Sequence, residues 1–121
     1  MIKAVYCIRM KSGQSREEFT RYWREEHAPR VAAAASKLAF VRYVQSHVIA
    51  PELNRLLVES RGLGPAYDGI TEVWIESEEA MTKAMGTEDG LEAMRMLIED
   101  EGRFIDFSRS SLFMTVEHDI F

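Results

Sequence analysis

The 121-residue chain has one cysteine, three prolines and no apolar run longer than the five residues from Val31 to Ala35. The lone Cys7 excludes an internal disulfide framework and a cysteine-built zinc site, and it reads as a small buried hydrophobe. Five apolar residues are far too few to cross a bilayer. Basic residues are not in excess: fifteen against twenty acids leave a net charge of −5. Such a surface repels a phosphate backbone and speaks against a nucleic-acid partner. The glycines form no phosphate cradle, because Gly62-Leu63-Gly64-Pro65 follows no strand and lacks the lysine. No serine stands in a nucleophile-elbow context. His27, His47 and His118 show no close ligand spacing, so no metal site is expected. There is no linker, repeat or low-complexity tract. One domain over residues 1–121 is expected. The N-terminus enters an alternating pattern with no signal region, which makes a cytoplasmic location the expectation.

What is present is ordinary globular composition, 46% hydrophobic and 29% charged, with readable periodicities. Residues 2–11 alternate, Ile2, Ala4, Tyr6, Ile8 and Met10 sharing one face, and predict a strand. Ser15 followed by Glu18 is a capping box that starts a helix near Arg16. Its inward stripe is Phe19, Trp23 and His27. Pro29 is expected to end this helix and to open a second helical run from Arg30 to Leu38. A second strand follows over residues 40–49. From Ala50 to Tyr67 runs a long connection, with a short helix expected over Glu52–Glu59. Asp68-Gly69 turns the chain into a third strand, Ile70 to Glu76. Ser77 caps a short helix and Thr87 a longer one, whose buried stripe is read as Leu91, Met94, Leu97 and Ile98. A last strand is expected over Ser111–Glu117.

The order is βαββαβ, a ferredoxin-like α+β fold: four antiparallel strands with helices on one face. The strands carry apolar or aromatic residues on both faces, so the face without helices needs a second cover. A homodimer with facing sheets is the economical solution.

Several residues could carry chemistry. His27 points inward at the last turn of its helix. There the helix end favours the imidazolium and burial beside Trp23 favours the neutral ring, a balance that suits an acid–base group. It could equally hydrogen-bond a carbonyl freed by Pro29. Tyr43, Gln45 and His47 share one strand face and line either a pocket with His27 or the dimer barrel. Glu72, between Ile70 and Trp74, fits an ion pair with Arg9 or Arg42. Asp68 shapes a turn or borders the pocket. Glu99, Asp100 and Glu101 crowd a helix C-terminus, where the dipole prefers cations. They are a solvated end, partners for Arg55 and Arg61, or the sign of a site.

The segment Phe19-x-x-Tyr22-Trp23-x-x-x-His27-x-Pro29-x-Val31 resembles the signature of the EthD family of dimeric α+β barrel proteins. The likeness continues through Tyr43–Val48, Tyr67–Trp74, Asp100–Asp106 and Glu117-His118, and Thr71 departs from it where a small apolar residue would stand. The resemblance implies a ferredoxin-like protomer, a barrel-forming homodimer and a pocket between sheet and helices. The expected function is cofactor-free acid–base chemistry, isomerisation, cyclisation or decarboxylation, on a small hydrophobic ring or polyketide-like molecule. His27 would be the acid–base group. Tyr43 and His47 would hold substrate oxygens, Asp68 would sit at the mouth, and Trp23 and Trp74 would form walls. The alternative is a non-catalytic accessory or carrier protein, or one associated with a monooxygenase, in an oxidative degradation pathway. A His27 that stays in one form from pH 5 to 9 would favour the carrier.

Overall fold

A computed structural model describes all 121 residues. Strands β1 (Ile2–Ile8), β2 (Phe40–His47), β3 (Gly69–Ile75) and β4 (Ser111–Thr115) form one antiparallel sheet in the order β2-β3-β1-β4. The two central strands are non-consecutive, as the ferredoxin-like order requires. Helices α1 (Arg16–Arg21), α2 (Ala28–Ala34), α4 (Glu78–Met85) and α5 (Glu88–Glu101) belong to the layer over one sheet face, and α3 (Pro51–Glu59) lies within the β2–β3 connection, with no buried residue. Ser15, Ser77 and Thr87 accept from backbone N–H groups three residues on, so the three expected caps start α1, α4 and α5. β1 stops at Ile8, short of the expected residue 11, and Met10 only bridges to Ile105.

Pro29 does not end the helical path. Between α1 and α2 the chain widens into a π-helical turn, Tyr22–His27, closed by the Ala28 N–H donating to the Trp23 carbonyl five residues back. A 3₁₀ turn, Ala35–Leu38, completes the run. Proline cannot donate to the preceding turn, and side chains add hydrogen bonds to carbonyls of the wider turn. Arg30 donates to the Glu26 carbonyl at 2.6 Å and Gln45 to that of Trp23 at 2.9 Å.

Two other expectations are corrected. The buried stripe of α5 is Gly90, Ala93, Leu97 and Asp100, whereas Leu91 and Ile98 are half exposed. Small residues win that face because α4 presses on it: a Cβ on Gly90 would meet the Ala84 carbonyl oxygen at 1.8 Å. In β2 the ladder skips Val41, Phe40 facing Ile75 and Arg42 facing Trp74. The extra residue brings Phe40 and Tyr43 to the same side of the sheet, against strict alternation.

The core lies between sheet and helices. Ile8, Phe19, Trp23, Phe104 and Ile105 pack at one end, and Val31, Ala34, Leu38, Ala93 and Leu97 at the other. Ala4, Val73 and Ile75 form the sheet floor between them. The opposite sheet face carries Val5, Val44, Trp74 and a half-exposed Phe113, with no helix over it.

Candidate functional site

Between the two core clusters a cavity of about 180 Å³ remains. The π-helical turn presents Trp23 and His27 to it, β1 supplies Tyr6, β2 supplies Tyr43, β3 supplies Thr71, and the end of α5 supplies Glu101. Fourteen of its seventeen lining residues are hydrophobic, and none is Lys or Arg. The polar groups are therefore few and convergent, as in small-molecule sites.

His27 is only 4% exposed, and its ring leans on Phe104, centroids 5.0 Å apart. Its Nδ1 lies 2.6 Å from Asp100 Oδ2, and the Tyr22 hydroxyl donates to Asp100 Oδ1 at 2.5 Å. Burial alone would raise the Asp100 carboxyl. The hydrogen bonds from Tyr22 and His27 and the charge of Arg30 outweigh it and hold the group below the usual carboxylate range. An ionised Asp100 only accepts, so His27 carries its proton on Nδ1. Burial pushes the imidazole pKa down; the bond to Asp100 opposes this, and Arg30 adds to it. The ring is thus neutral near pH 7. Nε2 makes no hydrogen bond within the protein, yet no fully buried polar side-chain atom lacks a partner, so Nε2 keeps open space beside it on the cavity side. A carboxylate that orients an imidazole whose other nitrogen carries a free lone pair is the arrangement of a general base.

Glu101 enters the cavity from the residue next to Asp100. Burial raises its carboxyl to about 7; a hydrogen bond with Tyr6 opposes the shift, and the neighbouring Asp100 charge reinforces it. Burial, with the facing Glu101 carboxylate, in turn pushes the Tyr6 phenol up. The Tyr43 oxygen accepts from Gln45 Nε2 at 2.9 Å, and the polar groups of Thr71 and Trp23 also face it. Burial raises the Tyr43 phenol despite those donors, so it stays protonated.

The other sequence-predicted residues lie elsewhere. His47 is on the helix side but behind the wall, stacked on Trp23 at 4.2 Å and hydrogen-bonded to Gln45 Oε1 at 2.8 Å. It fixes the Gln45 amide and through it Tyr43. Asp68 is in the turn before β3: Oδ2 accepts from the Met10 N–H at 2.7 Å and Oδ1 pairs with Arg16. It ties the segment after β1 to α1 and does not border the cavity. Trp74 faces the opposite side of the sheet, because Gly69, Thr71, Val73 and Ile75 take the helix side of β3. It lies beneath Arg42 and donates to Glu117 at 2.6 Å. Glu72 pairs with Lys3 at 2.6 Å, not with Arg9 or Arg42. Arg9 instead covers Tyr67 and donates to the carbonyls of Pro65 and Ala66. Gly69 makes room for the site, since a Cβ there would meet the Trp23 ring at 2.5 Å. Asp100 and Glu101 enter the sequence reading only as one sign of a site, with no role assigned, and Tyr6 only as a strand residue. The signal for the first two was the unpaired acids at the end of α5.

A wider groove of about 360 Å³ runs between α3 and Pro65–Tyr67. Its arginines are already engaged, Arg16 by Asp68 and Arg55 by Glu52 and Glu59. No group of three potential ligands converges on a metal-sized point. No helix is long and apolar enough to cross a membrane.

The EthD domain matches residues 11–108, most of the chain and the whole span from Ser15 to Asp106 that builds the cavity's helical wall. The chain belongs to the EthD family. An EthD family protein from Bacillus halodurans, described as "ethyl tert-butyl ether d", superposes with a TM-score of 0.66 at 15% identity, over 98% of this chain and 99% of that one. A dimeric protein of unknown function with a ferredoxin-like fold, from Bacteroides fragilis, gives 0.59 at 7% identity, over 96% and 95%. SnoaB from Streptomyces nogalater, a cofactor-independent oxygenase, gives 0.54 at 12% identity, over 98% and 93%. At these identities the likeness is one of fold. A search of curated proteins finds no match.

Proposed function

We propose that this EthD protein is an enzyme that performs acid–base chemistry without a cofactor on a small hydrophobic ring. The observation that carries the reading is the buried Asp100–His27 pair beside a cavity with almost no other polar group. The neutral imidazole would take a proton from a carbon next to a carbonyl, and the protonated Tyr43 would donate to the oxygen that gains charge. Size narrows the ligand. A dry cavity of about 150 Å³ holds benzene, so about 180 Å³ suits one ring with small substituents rather than a fused polyketide. His47, Asp68 and Trp74 have no contact with the ligand in this reading; His47 positions Tyr43 through Gln45.

The test is α-deuteration of cyclohexanone in D₂O, followed by mass spectrometry. The wild type should exchange faster than buffer, and His27→Gln should lose about 10²- to 10⁴-fold of that rate. The loss should come with an unchanged circular dichroism spectrum. No exchange above buffer by the wild type, with ring compounds still bound, would favour the carrier.

The assembly in this reading is a homodimer closed over the open sheet face. It is supported by the aromatic and aliphatic groups left uncovered there and by the dimeric relative of the same fold. Light scattering at the mass of a single 13.9 kDa chain would exclude it.

A further inference from the structure

The mechanism so far uses Asp100 and leaves the adjacent Glu101 unexplained. Glu101 is the one acidic residue that lines the cavity, and it reaches it from α5, across from the turn that carries His27. Charged or titratable groups near it are Tyr6 from β1, Tyr43 from β2, His27 from the π-helical turn and Asp100 on its own helix. None of them is a cation that would hold a carboxylate in place. The Tyr6 hydroxyl faces it from β1.

We infer that Glu101 is a second catalytic residue, the proton donor opposite His27, and that it restricts the cavity to neutral ring compounds that undergo a 1,3-proton shift. The inference rests on the reading of His27 as a base. His27 Nε2 removes a proton from the carbon between a carbonyl and a double bond. The electron pair of that C–H bond moves into the ring and its oxygen, which Tyr43 holds. The Glu101 carboxyl then gives its proton to the far carbon of the double bond; that π bond becomes the new C–H bond, the carbonyl re-forms, and the double bond now stands beside it. One proton has left one carbon and one has joined another, with no oxidation. The imidazolium and the carboxylate are restored by one proton passing between them through solvent.

A ring carboxylate gains nothing from this cavity, because no lysine or arginine lines it and the ionised Asp100 lies just behind His27. That disfavours decarboxylation of an acid and favours isomerisation of a ketone.

The test uses 3-cyclohexen-1-one, which isomerises to its conjugated form, alongside cyclohexanone α-deuteration. Glu101→Gln should slow the isomerisation about 100-fold, and at least about tenfold more than it slows α-deuteration, because only the first reaction needs a second proton site. Equal losses in both assays, or no loss in either, overturn the role of Glu101 and leave the His27 reading standing. If the wild type catalyses neither reaction, the His27 reading fails and binding decides. At pH 8 the wild type should then prefer benzyl alcohol to benzoate, and Glu101→Gln should narrow that preference about tenfold. A preference for benzoate, or one that Glu101→Gln leaves alone, overturns the charge selection.

Discussion

Asp100→Ala is expected to lower stability by about 3–5 kcal/mol, a large part of what a domain of this size has. The side chain is 4% exposed and is the acceptor for both the Tyr22 hydroxyl and the His27 Nδ1–H, with Arg30 and Arg103 nearby at 3.7 and 3.6 Å. Removing it leaves the buried His27 Nδ1–H and the partly buried Tyr22 hydroxyl without their acceptor, a cost larger than the worth of the bonds themselves. Asp100→Asn keeps an acceptor of the same shape and is expected to lose about 1–2 kcal/mol. Urea denaturation at pH 7 measures both. Equal and small losses would mean that Asp100 is not the anchor of the imidazole.

Glu101→Gln is expected to do the opposite and stabilise the protein above neutral pH. The folded-state pKa of Glu101 is raised from 4.5 to about 7 by burial. A group raised in this way favours the folded state fully below its unfolded value. That contribution is lost as pH rises from 4.5 through about 7, and above this the ionised carboxylate stays as a burden. The rise corresponds to about 3 kcal/mol, and partial exposure of the side chain reduces the expected gain to about 2 kcal/mol at pH 8. At pH 4 wild type and variant should differ little, since both carry a neutral side chain. Melting curves at the two pH values give the comparison. A variant less stable at pH 8 would show that Glu101 is held as a satisfied carboxylate. A residue that costs stability and lines the cavity is the pattern expected of a functional group.

Much of the architecture could be read from the chain because local signals and tertiary structure agree. The capping residues Ser15, Ser77 and Thr87 start helices as expected, and alternation in β1 and β3 marks the strands. Errors arose where one residue changes phase or where backbone contact outranks hydrophobicity. Val41 adds a residue to β2 and reverses the parity of Phe40, which no local pattern announces. Trp74 is a pocket wall only by the family resemblance; alternation puts it with Ile70 and Glu72, and β3 gives its helix side to Gly69, Thr71, Val73 and Ile75. α5 turns Gly90 inward because the end of α4 leaves no room for a Cβ there, and with Ala93 and Leu97 on the same face Leu91 and Ile98 are left half exposed.

The site was legible in part. The i, i+4 spacing of Trp23 and His27 carried their inward direction, and it survives the π-helical turn that leads into Pro29, where the helix was expected to end. The partner of His27 lies 73 residues away, so spacing could not identify it. The clue was an acid cluster at the wrong end of a helix dipole. It resolves into two roles at neighbouring positions, Asp100 turned to the imidazole and Glu101 to the cavity.

The proposed chemistry depends on a neutral His27 whose free nitrogen faces the cavity. Nitrogen-15 NMR of the imidazole from pH 5 to 9 tests this directly. The prediction is a proton on Nδ1 and none on Nε2 throughout the neutral range, with protonation of Nε2 only below the ordinary histidine value of 6.5. An imidazolium that persists above pH 7, or a neutral ring with its proton on Nε2, would contradict it.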